Sequence, residues 1–90
     1  MEGPPFAEIC RRHGLRVSRR RLIVLEVLDA AVDQPTVAEI YLRAVSRDDR
    51  VCYTTVYRVI GDLLSAGVIA VVDRRDGKPR YHRASERDFA

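Results

Sequence analysis

One face of a predicted helix over residues 53–66 carries side chains suited to hydrogen bonding and stacking. Thr54, Tyr57, Arg58 and Gly61 recur there at spacings of three and four, which places them together near the helix N-terminus. Threonine methyls and aromatic rings can contact thymine methyl groups, and an arginine guanidinium can reach a guanine edge or a phosphate. The free amides at a helix N-terminus also favour a phosphate. This combination fits the groove of a nucleic acid.

The opposite face of the same helix is apolar and contains Val56, Val59 and Ile60. This second face is expected to pack against a core, so the polar face must be turned outward. An alternative interpretation is that Tyr57 packs at the edge of the domain and Arg58 is merely solvated.

Charge is distributed unevenly along the 90-residue chain, whose net charge is +3. Residues 1–21 carry six arginines against two glutamates, residues 22–73 carry four arginines against eight acids, and residues 74–90 carry six basic residues against three acids. Basic ends around an acidic middle fit a polyanionic partner. Solvated charges in an arginine-rich protein are the alternative.

Composition argues against several other classes of protein. Two cysteines, Cys10 and Cys52, are too few for the disulfide framework of a small secreted domain, so a reducing, cytoplasmic location is expected. The N-terminal residues contain no long apolar run that would indicate a signal peptide or a membrane span. An enzyme is not indicated, because the sequence shows no nucleophile beside a base, no carboxylate pair and no phosphate-binding loop.

A metal site is not expected in this chain. Cys10 and His13 stand three residues apart on a predicted helix, but two ligands without further partners make a poor site. We expect a half-buried Cys10, a surface His13 and an exposed His82 on a strand. A redox role for Cys52 is left open, and no cofactor is expected within the chain.

The elements that position the polar face follow from local signals. Ser18 is a good N-cap, Thr36 and Glu39 form a capping box, and Asp76-Gly77 is typical of a hairpin turn. Apolar periodicity and these signals predict helices over about 5–13, 18–31, 36–45 and 53–66, then strands over 68–72 and 80–83. The fold class is therefore α+β. Four helices followed by a β-hairpin wing form a winged helix-turn-helix domain over residues 1–83, with a polar tail over 84–90.

Four stretches in this order resemble the N-terminal domain of the ferric uptake regulator (Fur) family: "GLRVSRRRLIVLEVL", "TVAEIY", "TTVYRVIGDLLSAGVI" and "GKPRYH". The most specific is Thr55-Val56-Tyr57-Arg58 followed by Leu64-x-x-Gly67. The resemblance covers about residues 6–83, which is nearly the whole chain.

The resemblance implies a bacterial repressor that responds to metal or peroxide and binds A/T-rich palindromes as a dimer. Tyr57 matches a tyrosine that contacts thymines in the major groove, and Arg58 matches the neighbouring arginine that contacts DNA. Arg16 matches a basic residue that enters the minor groove. Arg21 matches an arginine near phosphate.

The chain also departs from the family pattern. In the family, a histidine-rich segment and a metal-responsive, dimerising domain follow this region. Here its place is taken by residues 85–90, "SERDFA", with which the sequence ends. Gln34-Pro35 and His82 replace a histidine and a glutamate that the family often has, and no C-x-x-C pair is present. Iron, zinc or manganese and a homodimer are therefore expected only for a longer family member, and this chain is expected to be a monomer.

These observations predict a sequence-specific DNA-binding domain of a Fur-like transcription regulator, with double-stranded DNA as partner. A winged helix used as a protein-interaction module is the competing hypothesis. The candidate DNA-contacting residues are Arg16, Arg19, Arg21, Tyr53, Thr54, Thr55, Tyr57, Arg58, Arg74, Arg75, Lys78 and Arg80.

Overall fold

Four helices and a two-stranded antiparallel hairpin follow one another along the chain. The structure is a computed structural model and describes residues 6–72 and 77–83. Its elements are α1 (Phe6–Arg12), α2 (Arg19–Ala30), α3 (Val37–Arg47), α4 (Tyr53–Ser65), β1 (Ile69–Val71) and β2 (Tyr81–Arg83). The predicted α+β winged-helix architecture is confirmed. Predictions concerning Pro5, Arg74, Arg75, Asp76 and the tail 84–90 lie outside the described residues.

Local hydrogen bonds explain where the helices begin. The Ser18 hydroxyl accepts from the Arg21 N–H at 3.2 Å, which satisfies one free donor at the start of α2. At α3 the Thr36 hydroxyl accepts from the Glu39 N–H at 3.3 Å, and the Glu39 carboxylate accepts from the Thr36 N–H at 2.9 Å. The predicted N-cap and capping box are both confirmed.

The end of α4 explains why β1 starts one residue later than expected. Gly67 adopts a left-handed φ of 81°, and its N–H donates to the Leu64 carbonyl at 3.1 Å. The Val68 N–H donates to the Leu63 carbonyl at 2.9 Å, which completes a Schellman motif. Because Val68 closes the helix, the strand starts one residue later, at Ile69.

All four helices contribute to one core. Ile9, Leu25, Ile40 and Leu63 come from α1, α2, α3 and α4 respectively, and each is fully buried. Burying one such side chain contributes about 1.5–3 kcal/mol relative to leaving it exposed. This core fixes the orientation of α4, because α4 packs against both α2 and α3.

The hairpin is attached to the core at its base. Ile69 pairs with Arg83, Ala70 with His82, and Val71 with Tyr81. Ile69 and Tyr81 are buried, and the Tyr81 N–H donates to the Pro35 carbonyl at 3.1 Å. The base of the wing is therefore held beside the loop that precedes α3. None of the helices in the described ranges combines the length and the apolar character that crossing a membrane requires.

Candidate nucleic-acid interface

The polar face of α4 is open to solvent, as the sequence predicts. Thr54, Tyr57, Arg58 and Gly61 are all exposed, and Tyr57 retains 63% of its accessible surface. An aromatic ring left this open is unusual for a residue that serves only packing. The interpretation that Tyr57 packs at a domain edge therefore finds no support in its exposure.

Two other candidates at the start of α4 are partly committed to contacts within the chain. The Tyr53 ring meets the Tyr41 ring edge-on, with centroids 5.5 Å apart, and is 45% exposed. Thr55 is half-buried, and its hydroxyl forms a 3.1 Å hydrogen bond with the Cys52 sulfur. This bond lowers the pKa of the exposed Cys52 thiol from its ordinary value. Tyr53 and Thr55 thus shape the beginning of the helix.

The segment between α1 and α2 presents Arg16 outward. Leu15 and Val17 pack against the core, whereas Arg16 between them is exposed. The Leu15 N–H also donates to the Cys10 carbonyl at 2.8 Å, which ties this segment to the end of α1. Alternating contacts of this kind hold the backbone in place while leaving the arginine side chain in solvent.

Arg19 and Arg21, at the start of α2, both bind carboxylates from distant parts of the chain. Arg19 Nε donates to Asp48 at 2.9 Å, although the side chain stays 68% exposed. Arg21 donates to the Arg16 carbonyl at 2.7 Å and to Asp62 at 2.9 Å, and only 19% of its side chain is exposed. Arg19 therefore remains accessible to a partner, while Arg21 is largely enclosed.

On the wing, the described basic residues differ in a similar way. Lys78 is exposed, whereas Arg80 is 28% exposed and donates to the Gln34 carbonyl at 3.0 Å. The Arg80 guanidinium also lies 3.7 Å from the Glu39 carboxylate. Arg80 thus links the wing to the start of α3. His82 is exposed on β2, as expected.

Cys10 and His13 are held in different surroundings. Cys10 is fully buried, more so than the half-buried position expected from the sequence, and burial raises the pKa of its thiol. His13 is half-buried, not a surface residue, and its Nδ1 donates to the Ala66 carbonyl at 3.0 Å. Across residues 6–72 and 77–83, no three potential ligands are grouped to hold a metal ion.

Sequence reasoning missed two acidic residues that organise this surface. Asp48, at the end of α3, accepts from Arg19 and Arg50, and these bonds lower the pKa of its carboxyl group well below the ordinary value. Asp62 accepts from Arg21. The only sequence signal for Asp62 is its position four residues after Arg58, which would have suggested a pair within the helix.

An open cleft of about 790 Å³ lies between the C-terminal parts of α2 and α3. Its lining includes Val27, Val32, Leu42 and Arg47. Of the candidate DNA-contacting residues within 6–72 and 77–83, none lines it. The polar face of α4 is thus separate from this cleft.

The model of the ferric uptake regulator family matches residues 12–90, which is most of the chain. The chain belongs to the ferric uptake regulator family. Fur proteins are transcription regulators, and nothing in the match indicates an enzyme. The resemblance that the four sequence stretches indicate is therefore confirmed.

Curated relatives of the chain are Fur proteins. The chain is 37% identical over 79 residues to the "Ferric uptake regulation protein" of Rhizobium leguminosarum bv. viciae, covering 88% of this chain and 56% of that protein. It is 38% identical over 82 residues to the protein of the same name from Brucella suis biovar 1, covering 91% and 58%. The chain thus spans less than two thirds of the length of either relative.

Solved structures of Fur-family regulators share the fold. A "zinc-bound manganese uptake regulator" superposes with a TM-score of 0.85 at 34% identity, covering 92% of this chain and 63% of that one. The Vibrio cholerae ferric uptake regulator superposes with a TM-score of 0.80 at 25% identity, covering 89% and 62%. The crystal structure of that Vibrio regulator reveals a structural rearrangement of its DNA-binding domains.

Proposed function

We propose that this chain is the sequence-specific DNA-binding domain of a Fur-like bacterial repressor that reads an A/T-rich palindromic operator. The observation that carries the proposal is the exposed face of α4, where Thr54, Tyr57 and Arg58 stand together on a helix whose other face is locked in the core. Family membership supports the assignment to transcription regulation. A protein of this kind works in the cytoplasm, where its DNA lies.

The proposed mechanism places α4 in the major groove. In helix-turn-helix docking the N-terminal residues of the recognition helix meet the base edges. Thr54 and Tyr57 would contact thymine methyl groups, and Arg58 would donate to a guanine or a phosphate. Arg16, on the segment between α1 and α2, would enter a narrow A/T-rich minor groove, whose negative potential attracts arginine.

The remaining basic candidates would bind the phosphate backbone. Arg19 and Lys78 are exposed and are available to bind phosphates. Arg74 and Arg75 are proposed for the same task on the basis of sequence alone. Arg80 would have to give up part of its contact with the Gln34 carbonyl to do so. Tyr53 and Thr55 would contact the backbone where α4 begins.

The described residues do not fit the metal site that the family name suggests. Cys10 is buried, and His13 already donates to a backbone carbonyl. Any response to iron, zinc or manganese is therefore proposed for the additional length that the relatives have, and the proposed mechanism assigns no metal to residues 6–72 and 77–83.

The test is a fluorescence-anisotropy titration of two labelled duplexes of equal length and composition. One carries an A/T-rich palindrome and the other the same bases in scrambled order. We expect tighter binding to the palindrome at moderate salt, with both affinities falling as salt rises. Equal affinities would overturn sequence-specific reading. No binding to either duplex at low salt would favour the protein-interaction module instead.

A further inference from the structure

We propose that Arg21 is a positioning residue that fixes Arg16 relative to the recognition helix, so that the two reading elements act as one rigid unit. The inference rests on the proposed DNA-binding function and adds a role to it. Arg21 touches both elements directly, through the Arg16 carbonyl at 2.7 Å and the Asp62 carboxylate at 2.9 Å.

The contacts of Arg21 use its planar guanidinium as a bridge. One terminal nitrogen binds the backbone of the segment before α2, and the other binds α4. Its Nε is buried and has no hydrogen-bond partner among residues 6–72 and 77–83, so the two terminal nitrogens hold the group. A lysine ammonium could not make this two-ended contact with the same geometry.

The bridge joins the parts of the molecule that must reach DNA together. Asp62 lies one turn beyond Arg58 on the same side of α4, and Arg16, whose carbonyl Arg21 holds, is exposed. The segment carrying Arg16 belongs to neither a helix nor a strand. Leu15 and Val17 hold this segment against the core, and the Arg21 bridge links it directly to α4 through Asp62.

A positioning role and a phosphate-binding role predict opposite results for Asp62. If Arg21 served only to bind phosphate, removing the Asp62 carboxylate would free its guanidinium, make the domain more positive and tighten binding to every duplex. If Arg21 positions Arg16, removing Asp62 loosens the bridge. Binding to the A/T-rich palindrome then weakens relative to scrambled DNA, although the charge change favours binding.

The first experiment measures the ratio of affinities for the palindromic and scrambled duplexes. We expect Asp62→Ala to lower this ratio roughly tenfold, a typical size for coupling between side chains in contact. Asp62→Asn keeps an acceptor oxygen and should retain most of the ratio. Arg21→Lys keeps the charge but should lower the ratio as Asp62→Ala does. Asp49→Ala, which removes an exposed carboxylate from the α3–α4 connector, is the matched control and should leave the ratio unchanged.

The second experiment tests the bridge without DNA. Asp62→Ala should shift the NMR amide resonances of Arg16 and Val17, whereas Asp49→Ala should leave them in place. Unshifted resonances, or an unchanged affinity ratio in Asp62→Ala, would overturn the positioning role while leaving the proposed function intact. If Asp62→Ala shifts these resonances but the wild-type protein shows no preference for the palindrome, the proposed function is overturned, and this inference with it.

Discussion

Single side chains on α4 divide between a core face and an open face. Val56, Val59 and Ile60 hold the helix in place, and Tyr57 and Arg58 are left exposed on the other side. The aromatic ring and the guanidinium differ in what they can read. A tyrosine contributes shape and apolar contact without charge, whereas an arginine also gains from every phosphate nearby.

Truncating Tyr57 should therefore reduce specific binding selectively. We expect Tyr57→Ala to cost about 1–3 kcal/mol of binding free energy on the A/T-rich palindrome. Binding to scrambled DNA should change much less, because no charge is lost, while Arg58→Ala should weaken both. Leu42→Ala truncates an exposed side chain of α3 and serves as the control in the same titration. Equal losses on both duplexes in Tyr57→Ala would rule out base reading by this residue.

Asp48 should make stability depend on acid pH. Its hydrogen bonds with Arg19 and Arg50 hold the pKa of the carboxyl group well below the ordinary value of 3.8. Because the pKa is depressed in the folded protein, the stabilisation is complete above the ordinary value of 3.8 and is lost progressively as the pH falls below 3.8. Urea unfolding should show Asp48→Asn to be less stable than wild type at pH 6, with the difference shrinking below about pH 4.

The control for Asp48 is the same substitution at its exposed neighbour, Asp49→Asn. It should give a free energy of unfolding close to that of wild type across the whole range. A stability difference between Asp48→Asn and wild type that persists unchanged down to pH 2 would show that the carboxylate charge is not responsible.

At the scale of elements, the helix-turn-helix and the wing meet at the loop before α3. Tyr81 and Arg80 of the hairpin bind the carbonyls of Pro35 and Gln34, and Thr36 of the same loop starts α3. A shift of the wing would consequently be transmitted to this helix start. Lys78 is an exposed basic residue of the wing, so it is chosen to probe whether the wing binds the DNA backbone.

Lys78→Ala should change the salt dependence of DNA binding. Each phosphate contact that is lost lowers the slope of log affinity against log salt by about one. We expect this reduction on palindromic and scrambled duplexes alike, because phosphates carry no sequence information. Arg47→Ala removes an equal charge beside the cleft between α2 and α3 and should leave the slope unchanged. An unchanged slope in Lys78→Ala would place this part of the wing away from the DNA backbone.

For the whole molecule, the question is how two half-sites would be bound at once. The large exposed apolar side chains of the described residues belong to separate elements: Val32 and Leu42 beside the cleft, Tyr53 and Tyr57 on α4, and Val71 and Val72 on the hairpin. A stable interface buries about 800 Å² on each partner. Scattered side chains of this kind favour a monomer over a dimer.

We therefore predict a monomer at micromolar concentration that binds DNA weakly. A single domain that contacts one half-site lacks the roughly 10²–10⁴ gain that joining two half-site contacts in one molecule provides. Its affinity should be on the order of micromolar or weaker at physiological salt. Adding Fe²⁺, Mn²⁺ or Zn²⁺ should not tighten it. Sedimentation and a metal titration of the palindromic duplex provide the test, and a dimer or a tenfold metal-dependent gain would contradict it.

The sequence alone determined the elements and their faces. Capping at Ser18 and Thr36, apolar periodicity in α4 and the glycine after it are local signals, since each depends on residues within one or two turns. For this reason the starts of α2, α3 and α4 were predicted to within one residue, and the ends of the four helices erred by at most two residues. The same local pattern predicted that Tyr57 faces solvent, because an apolar stripe that packs in the core leaves the opposite side of the helix exposed.

Only the tertiary structure decided which basic side chains face solvent. Arg21 and Asp62 are 41 residues apart, Arg19 and Asp48 are 29 apart, and Arg80 lies 46 residues from the carbonyl that it binds. No periodicity links positions so far apart, because such contacts form only when the core brings the elements together. Arg16 and Arg21 look equivalent along the chain, yet packing leaves one in solvent and makes the other a bridge.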